Sequence, residues 1–173
     1  MPSFLFFRLG ADELGIAQSS VREIVRYSGV TAVPGSPPWL RGVFNLRGRV
    51  VPAIDFAARL GLPSSPVGPR TCLVVLEVEL GAGAPVALAL AVDAVTRIDD
   101  VESSAIQPPP PLGLKVSLDH MTGVVRRESA LIVLVDVVRA FATGELLAVS
   151  GAPDTPAVRP DTPVPGLFLF EDA

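Results

Sequence analysis

Two stretches of this chain, 81 residues apart, follow one design, and that repeat limits the folds open to it. The first runs from Gly42 to Leu60, the second from Gly123 to Phe141. Without a gap, Gly42 falls on Gly123, Val43 on Val124, Val50 on Leu131, Ile54 on Val135, Asp55 on Asp136 and Leu60 on Phe141. In the first copy two apolar runs flank Arg47-Gly48, where glycine takes positive φ at no steric cost, and the second run ends in Asp55 ahead of a short helical pattern. The spacing predicts a tight hairpin feeding a helix over Phe56 to Leu60, with Asp55 as its N-cap. The same logic predicts a helix over Val137 to Thr143, capped by Asp136 and stopped at Gly144.

A second register ties the parts upstream of the hairpins. At an offset of 74, Leu14 falls on Leu88, Ile16 on Leu90, Ala17 on Ala91, Val21 on Val95 and Ile24 on Ile98. Phe4 to Leu9 and Glu13 to Ala17 read as strands about a turn, as do Thr71 to Leu80 and Val86 to Val92. Ser20-Val21-Arg22-Glu23 has the capping-box pattern and predicts a short helical turn. Val25 to Val33 reads as extended, and Pro52 belongs where its missing amide would point away from the hairpin. Many short β-branched runs, with only three brief helices, predict an all-β fold of two small barrels or sheets.

Gly61 to Pro69 is turn-forming and lacks periodicity, which places the boundary between the halves there. The expected organisation is one domain over residues 1–143, its first barrel over about 4–60 and its second over about 71–142. Residues 144–173 then form a proline-rich linker with an apolar and acidic tip. Leu167, Phe168, Leu169 and Phe170 of that tip are a candidate docking segment, able to add as a strand to an exposed sheet edge of this chain or of a partner; an unstructured remnant is the alternative. Gln107 to Pro111 reads as stiff polyproline on the surface.

Composition narrows the function. Hydrophobic residues make up 49% of 173 and charged residues 18%, yet the longest apolar runs stop at Asp93 and Asp136, far short of the roughly 20 residues of a spanning helix. The apolar excess is therefore assigned to protein interfaces. A net charge of -4 argues against nucleic acid as partner. Met1-Pro2-Ser3 leads at once into strand sequence with no basic n-region, and Cys72 is the only cysteine, so a cytoplasmic location is expected.

Nothing in the sequence assembles catalytic chemistry. There is no Gly-x-Ser-x-Gly elbow, no phosphate-cradling loop ending in Lys and no His-Glu-x-x-His pair. His120 is the single histidine and has no soft partner with which to hold a metal, so no metal and no cofactor is expected. Cys72 reads as a small strand hydrophobe, and Asp12-Glu13 and Asp99-Asp100 as solvated turn charge. Arg41, Arg47 and Arg49 cluster in the first hairpin, either as a solvated turn or with Arg47 offering a planar fork to a partner's carboxylate. Glu23 is divided between a capping and a contact role.

The hairpin from Gly42 to Phe56 resembles the signature of CheW-type adaptors, which couple bacterial chemoreceptors to the histidine kinase CheA. Glu13 to Ile16, Val21 to Ile24, Val92 to Val95, Ile106 to Pro108, Met121 to Val124 and Ile132 to Asp136 extend the resemblance over about Phe4 to Ala142. It implies two pseudo-repeated five-stranded Src-homology-3-like β-barrels with a few short helices. It also implies a non-catalytic, cytoplasmic adaptor at membrane-associated receptor arrays. The implied partners are the regulatory domain of a CheA-type kinase and the cytoplasmic tip of methyl-accepting chemoreceptors. Val21, Glu23, Ile24, Arg47 and Val50 match receptor-binding positions and Gly42 a kinase-binding one. A specialised relative engaging only receptor or only kinase, as a brake or insulator, is the alternative; a small β-barrel ligand sensor or enzyme is the remote one.

Overall fold

The computed structural model describes residues 2–79, 85–109 and 120–140. Ten strands form two five-stranded sheets. They are β1 (Ser3–Leu9), β2 (Asp12–Ala17), β3 (Val21–Arg26), β4 (Leu40–Leu46), β5 (Arg49–Asp55), β6 (Cys72–Val78), β7 (Val86–Val92), β8 (Ala94–Asp100), β9 (Met121–Arg127) and β10 (Ala130–Val135). The helices α1 (Phe56–Arg59) and α2 (Val137–Ala140) follow the two hairpins β4–β5 and β9–β10. One sheet has the order β8-β1-β2-β10-β9 and the other β3-β6-β7-β5-β4.

Exchanging β1–β5 with β6–β10, strand for strand, converts one order into the other. The two copies of the repeat are therefore interleaved. Each sheet takes its first two strands from one copy and the remaining three from the other, so the sheets do not follow the expected division into 4–60 and 71–142. The correspondence reaches individual irregularities. Bulges fall at Arg22 in β3 and at its counterpart Thr96 in β8, and at Arg41 in β4 and its counterpart Thr122 in β9. Isolated bridges join Thr31 to Val43 and Gln107 to Val124. Arg47 and Glu128, 81 residues apart, are the two non-glycine residues at positive φ among those described, 52° and 54°.

Interleaving explains the apolar composition. Along β1, Phe4 and Phe6 face a core within their own sheet, while Leu5, Phe7 and Leu9 face a larger core that both sheets share. In β6, Leu73 and Val75 serve the second sheet's own core and Val74, Leu76 and Val78 the shared one. Strands buried on both faces need hydrophobic side chains at every position, not at alternate ones. The apolar excess is largely three cores in a small body, which corrects its assignment to protein interfaces.

The turns hold where the hairpin spacing predicted. Leu46 pairs with Arg49, and Arg47 and Gly48 take φ of 52° and 85°, the paired left-handed conformation of a type I′ turn. Asp55 Oδ1 accepts the Ala58 N–H at 3.1 Å and Asp136 Oδ1 the Arg139 N–H at 3.2 Å, so both predicted caps form. Pro52 lies opposite Val43, whose own N–H and C=O both bond Thr31, so no hairpin bond is lost at the proline.

One local expectation is corrected. Gln18–Ser20 forms a 3-10 turn, but Val21–Arg26 is strand β3, because three partly buried side chains alternate with exposed ones along its pairing with β6. The stretch after α1 has no helix or strand, as its turn-forming composition predicts, but it is anchored to the body. Leu62 is buried in the shared core with its N–H on Ala57 O, and Ser64 donates to Asp55 Oδ2. Gly144 and the tip Leu167 to Phe170 lie outside the described residues.

Candidate functional site

Glu23 and Arg47 are 24 residues apart in sequence but joined by a fork. Arg47 donates from one terminal nitrogen to Glu23 Oε1 at 2.6 Å and from the other to Oε2 at 2.7 Å. The pair connects strand β3, an edge of its sheet, to the tip of the β4–β5 hairpin, which ends the other edge. Local sequence sets both positions. The I′ turn lifts Arg47 out of the sheet, and the bulge at Arg22 rephases β3 so that Glu23 is partly covered. Glu23 therefore does not reach back to cap a helix; it is a cross-strand partner.

The electrostatics are mutual. Hydrogen bonding by Arg47, then its charge, holds the Glu23 carboxyl below its ordinary value, and Glu23 raises the Arg47 guanidinium in return. Glu23 keeps a quarter of its side chain exposed, Arg47 three quarters. A guanidinium has five N–H donors, and the fork uses one from each terminal nitrogen, so donors remain on the solvent side. Ile24 and Val50, on β3 and β5, are exposed large hydrophobics at 40% and 37%. Val21 differs: it is half-buried and packs against the shared core. Of the five candidate receptor positions, Ile24, Arg47 and Val50 are exposed, while Glu23 and Val21 are partly covered.

Gly42 is a backbone feature. It is buried, with φ of 151°, and a Cβ built there would lie 2.1 Å from Thr31 O. Its lack of a side chain lets residues 31 and 32 cross β4 and form the Thr31–Val43 bridge. Gly123 repeats the arrangement against Gln107 O at 2.8 Å.

Arg41, grouped with the hairpin arginines by sequence, turns inward. It meets Asp55 Oδ2 at 3.2 Å and Ser65 O at 3.2 Å, and stacks over the Tyr27 ring at 5.6 Å. Arg49 stays exposed. Asp12-Glu13 and Asp99-Asp100 are strand residues rather than solvated turn charge. Glu13 meets Arg97 at 3.3 Å and accepts from Thr96 at 2.7 Å, and Ser3 donates to Asp100. Arg127 donates to Asp99 at 2.6 Å and holds that carboxyl below its ordinary value. Arg97 and Arg127 also lie over the buried Phe6 ring at 4.9 and 5.2 Å. No sequence signal marked these contacts, since they join residues far apart in the chain, most of them across the two repeat copies.

The pseudo-symmetric counterparts of Glu23 and Arg47 are Arg97 and Glu128, an inverted pair, and Arg97 is engaged by Glu13 instead. The two ends of the molecule therefore present different surfaces. Among the described residues no cluster of three His, Cys, Asp or Glu side chains could hold a metal ion. No described helix is long and apolar enough to cross a membrane.

Residues 3–145 match the CheW-like domain. The chain belongs to the CheW-like family of chemotaxis adaptors. It is 34% identical over 139 residues to the probable chemotaxis protein CheW of Rhizobium etli, covering 80% of this chain and 86% of that one. It is 30% identical over 146 residues to chemotaxis protein CheW of Klebsiella aerogenes, covering 84% and 85%. Protein FrzA of Myxococcus xanthus is 32% identical over 123 residues, covering 71% and 73%. The fold matches the crystal structure of the scaffolding protein TtCheW from Thermoanaerobacter tengcongensis with a TM-score of 0.72 and 26% identity, over 82% of this chain and 89% of that one. The fork joins Glu23 and Arg47, two of the residues whose positions the resemblance matched to receptor binding.

Proposed function

We propose that this chain is a non-catalytic adaptor that couples chemoreceptors to a CheA-type histidine kinase, working in the cytoplasm at membrane-associated receptor arrays. The observation that carries the reading is the Glu23–Arg47 fork, with Ile24 exposed beside Glu23 on β3 and Val50 exposed on β5, just past the hairpin turn. Apolar side chains supply area to bury, and a charge pair whose outer donors are unused fixes register and excludes like-charged partners. A helical receptor tip carrying a carboxylate beside apolar positions suits such a surface. The kinase regulatory domain would meet the Gly42 region through the segment that crosses β4, since the glycine itself offers no side chain.

The test is a pair of pull-downs with the purified chain, against a kinase regulatory domain and against a receptor's cytoplasmic tip from the same organism. Binding to both supports coupling. Binding to one alone identifies a brake or insulator, and binding to neither refutes the adaptor reading.

A further inference from the structure

An open groove of about 530 Å³ lies between the two sheets, lined by Arg8, Arg70, Cys72, Ala94, Val95 and Thr96. Its wall is β8, an edge strand that pairs with β1 alone among the described strands. Farther along β8, Ile98 is 51% exposed. In a chain of net charge -4, this groove is basic. Arg8 donates only to Ala11 O, and Arg70 has no charged or hydrogen-bonded partner among the described residues. The nearby Asp93 carboxylate accepts the Gly10 N–H at 2.6 Å.

The equivalent places in the other copy carry a different charge pattern. Ser3 stands where Cys72 does, and Glu77 and Arg22 stand where Arg8 and Thr96 do and pair with each other at 3.1 Å. Charge is neutralised within the fold there, whereas Arg8 and Arg70 meet no carboxylate among the described residues, so the basic groove calls for an acidic, partly apolar occupant.

One segment of this chain outside the described residues has that chemistry: Leu167-Phe168-Leu169-Phe170-Glu171-Asp172. Four large hydrophobics precede two carboxylates. Extended, six residues span roughly 20 Å, enough to run from Ile98 to the arginines. Residues 141–166 connect it to α2. As a flexible chain they have an end-to-end distance of about 28 Å, and fully extended as polyproline about 80 Å. A domain of this size is roughly 40 Å across, so the groove is within reach.

We propose that Leu167–Asp172 folds back on its own domain as an added strand on β8, covering Ile98 and Val95 and setting Glu171 and Asp172 against Arg8 and Arg70. Backbone bonding to the free edge supplies attachment, and the arginines select the acidic end. The docked tip also shields an edge that would otherwise recruit strands of other chains. This inference is independent of the receptor and kinase reading.

Cys72 is the sole cysteine and reports on the groove. Burial pushes its thiol up, opposed by the Val95 N–H. The experiment is alkylation of the full chain by N-ethylmaleimide, a neutral reagent, with rates normalised to the unfolded protein. With an effective concentration of about 1 mM and a segment affinity on the order of 0.1 mM, docking slows the reaction about tenfold. Full-length Phe168→Ser/Phe170→Ser should lose that protection and melt a few degrees lower, the drop that losing a tenfold intramolecular docking equilibrium implies. Arg70→Glu should also react faster, although removing a cation alone would slow thiolate formation. Adding Glu171→Lys and Asp172→Lys to Arg70→Glu should restore protection. Equal rates for the parent chain and Phe168→Ser/Phe170→Ser overturn the proposal. Protection that rises with protein concentration also overturns it, because the occupant is then a second copy.

Discussion

Replacing Gly42 with alanine separates a structural glycine from a contact glycine. The new Cβ would lie 2.1 Å from Thr31 O, 2.6 Å from Thr31 C and 3.0 Å from Ala32 N, all backbone atoms that no rotamer change can move. Residues 31 and 32 must withdraw by more than an ångström. That breaks the two bonds of the bridge, Thr31 N–H to Val43 O and Val43 N–H to Thr31 O, both 2.9 Å. At about 1 kcal/mol net each, these account for roughly 2 kcal/mol. A φ of 151° adds strain of about 1–3 kcal/mol for a residue with a side chain, giving about 3–5 kcal/mol in all. Gly48→Ala is the control: φ is 85° but nothing lies within 4 Å, so only the left-handed cost of about 1–2 kcal/mol applies. Denaturant unfolding of both variants reads the difference. Equal losses in the two would refute the reasoning, as would a Gly42→Ala protein of parental stability that no longer binds kinase.

Other expectations follow from the same contacts. Phe7→Ala, which removes a fully buried ring 5.8 Å from that of Phe56 in the shared core, should cost about 3–5 kcal/mol and lower a single calorimetric transition for both sheets; two resolved transitions would contradict a shared core. Arg41→Met should cost about 2–4 kcal/mol by denaturant unfolding, because it strands the buried Asp55 carboxylate, whereas Arg41→Met/Asp55→Asn should lose less. Glu23 has a folded pKa below its ordinary value of 4.5, so its contribution is complete above that pH and lost as pH falls through the lowered value. The stability gap between parent and Glu23→Gln should therefore close in acid. Arg47→Glu should impair receptor coupling and leave the fold intact, as measured by circular dichroism and receptor-dependent kinase activity.

The repeat was the most legible part of the fold, because hairpin turns and helix caps are local chemistry. Arg47-Gly48 and the carboxylates of Asp55 and Asp136 act within three residues of their own positions, and the spacing alone located them. The exchange of strands between repeat copies was not legible. A double-faced strand such as β1 has the same apolar run whichever sheet it joins, and long-range pairing leaves no periodicity to read. The same limit hid Arg97 on Phe6 and Arg127 on Asp99.

Glu23 shows how a local pattern misleads. Ser20 to Glu23 satisfies the capping box, but strand pairing with β6 prevails, and the carboxylate finds an arginine across the sheet instead of an amide three residues back. The arginine cluster was likewise divided by geometry: Arg47 points out at a turn, while the bulge at Arg41 directs its side chain toward Asp55. Thr122 holds the equivalent place in the other copy, so the repeat gave no hint of that role.

The most direct measurement of the central claim is receptor-dependent autophosphorylation of the kinase, reconstituted with and without this chain and with two variants of the fork. Coupling predicts that the parent raises phosphorylation and Arg47→Glu does not. It also predicts that Glu23→Arg/Arg47→Glu, which restores the fork with its polarity reversed, stays inactive because the outward charge is wrong. Full activity of the reversed pair would show that the fork only braces the hairpin, and no stimulation by the parent chain would contradict the adaptor account itself.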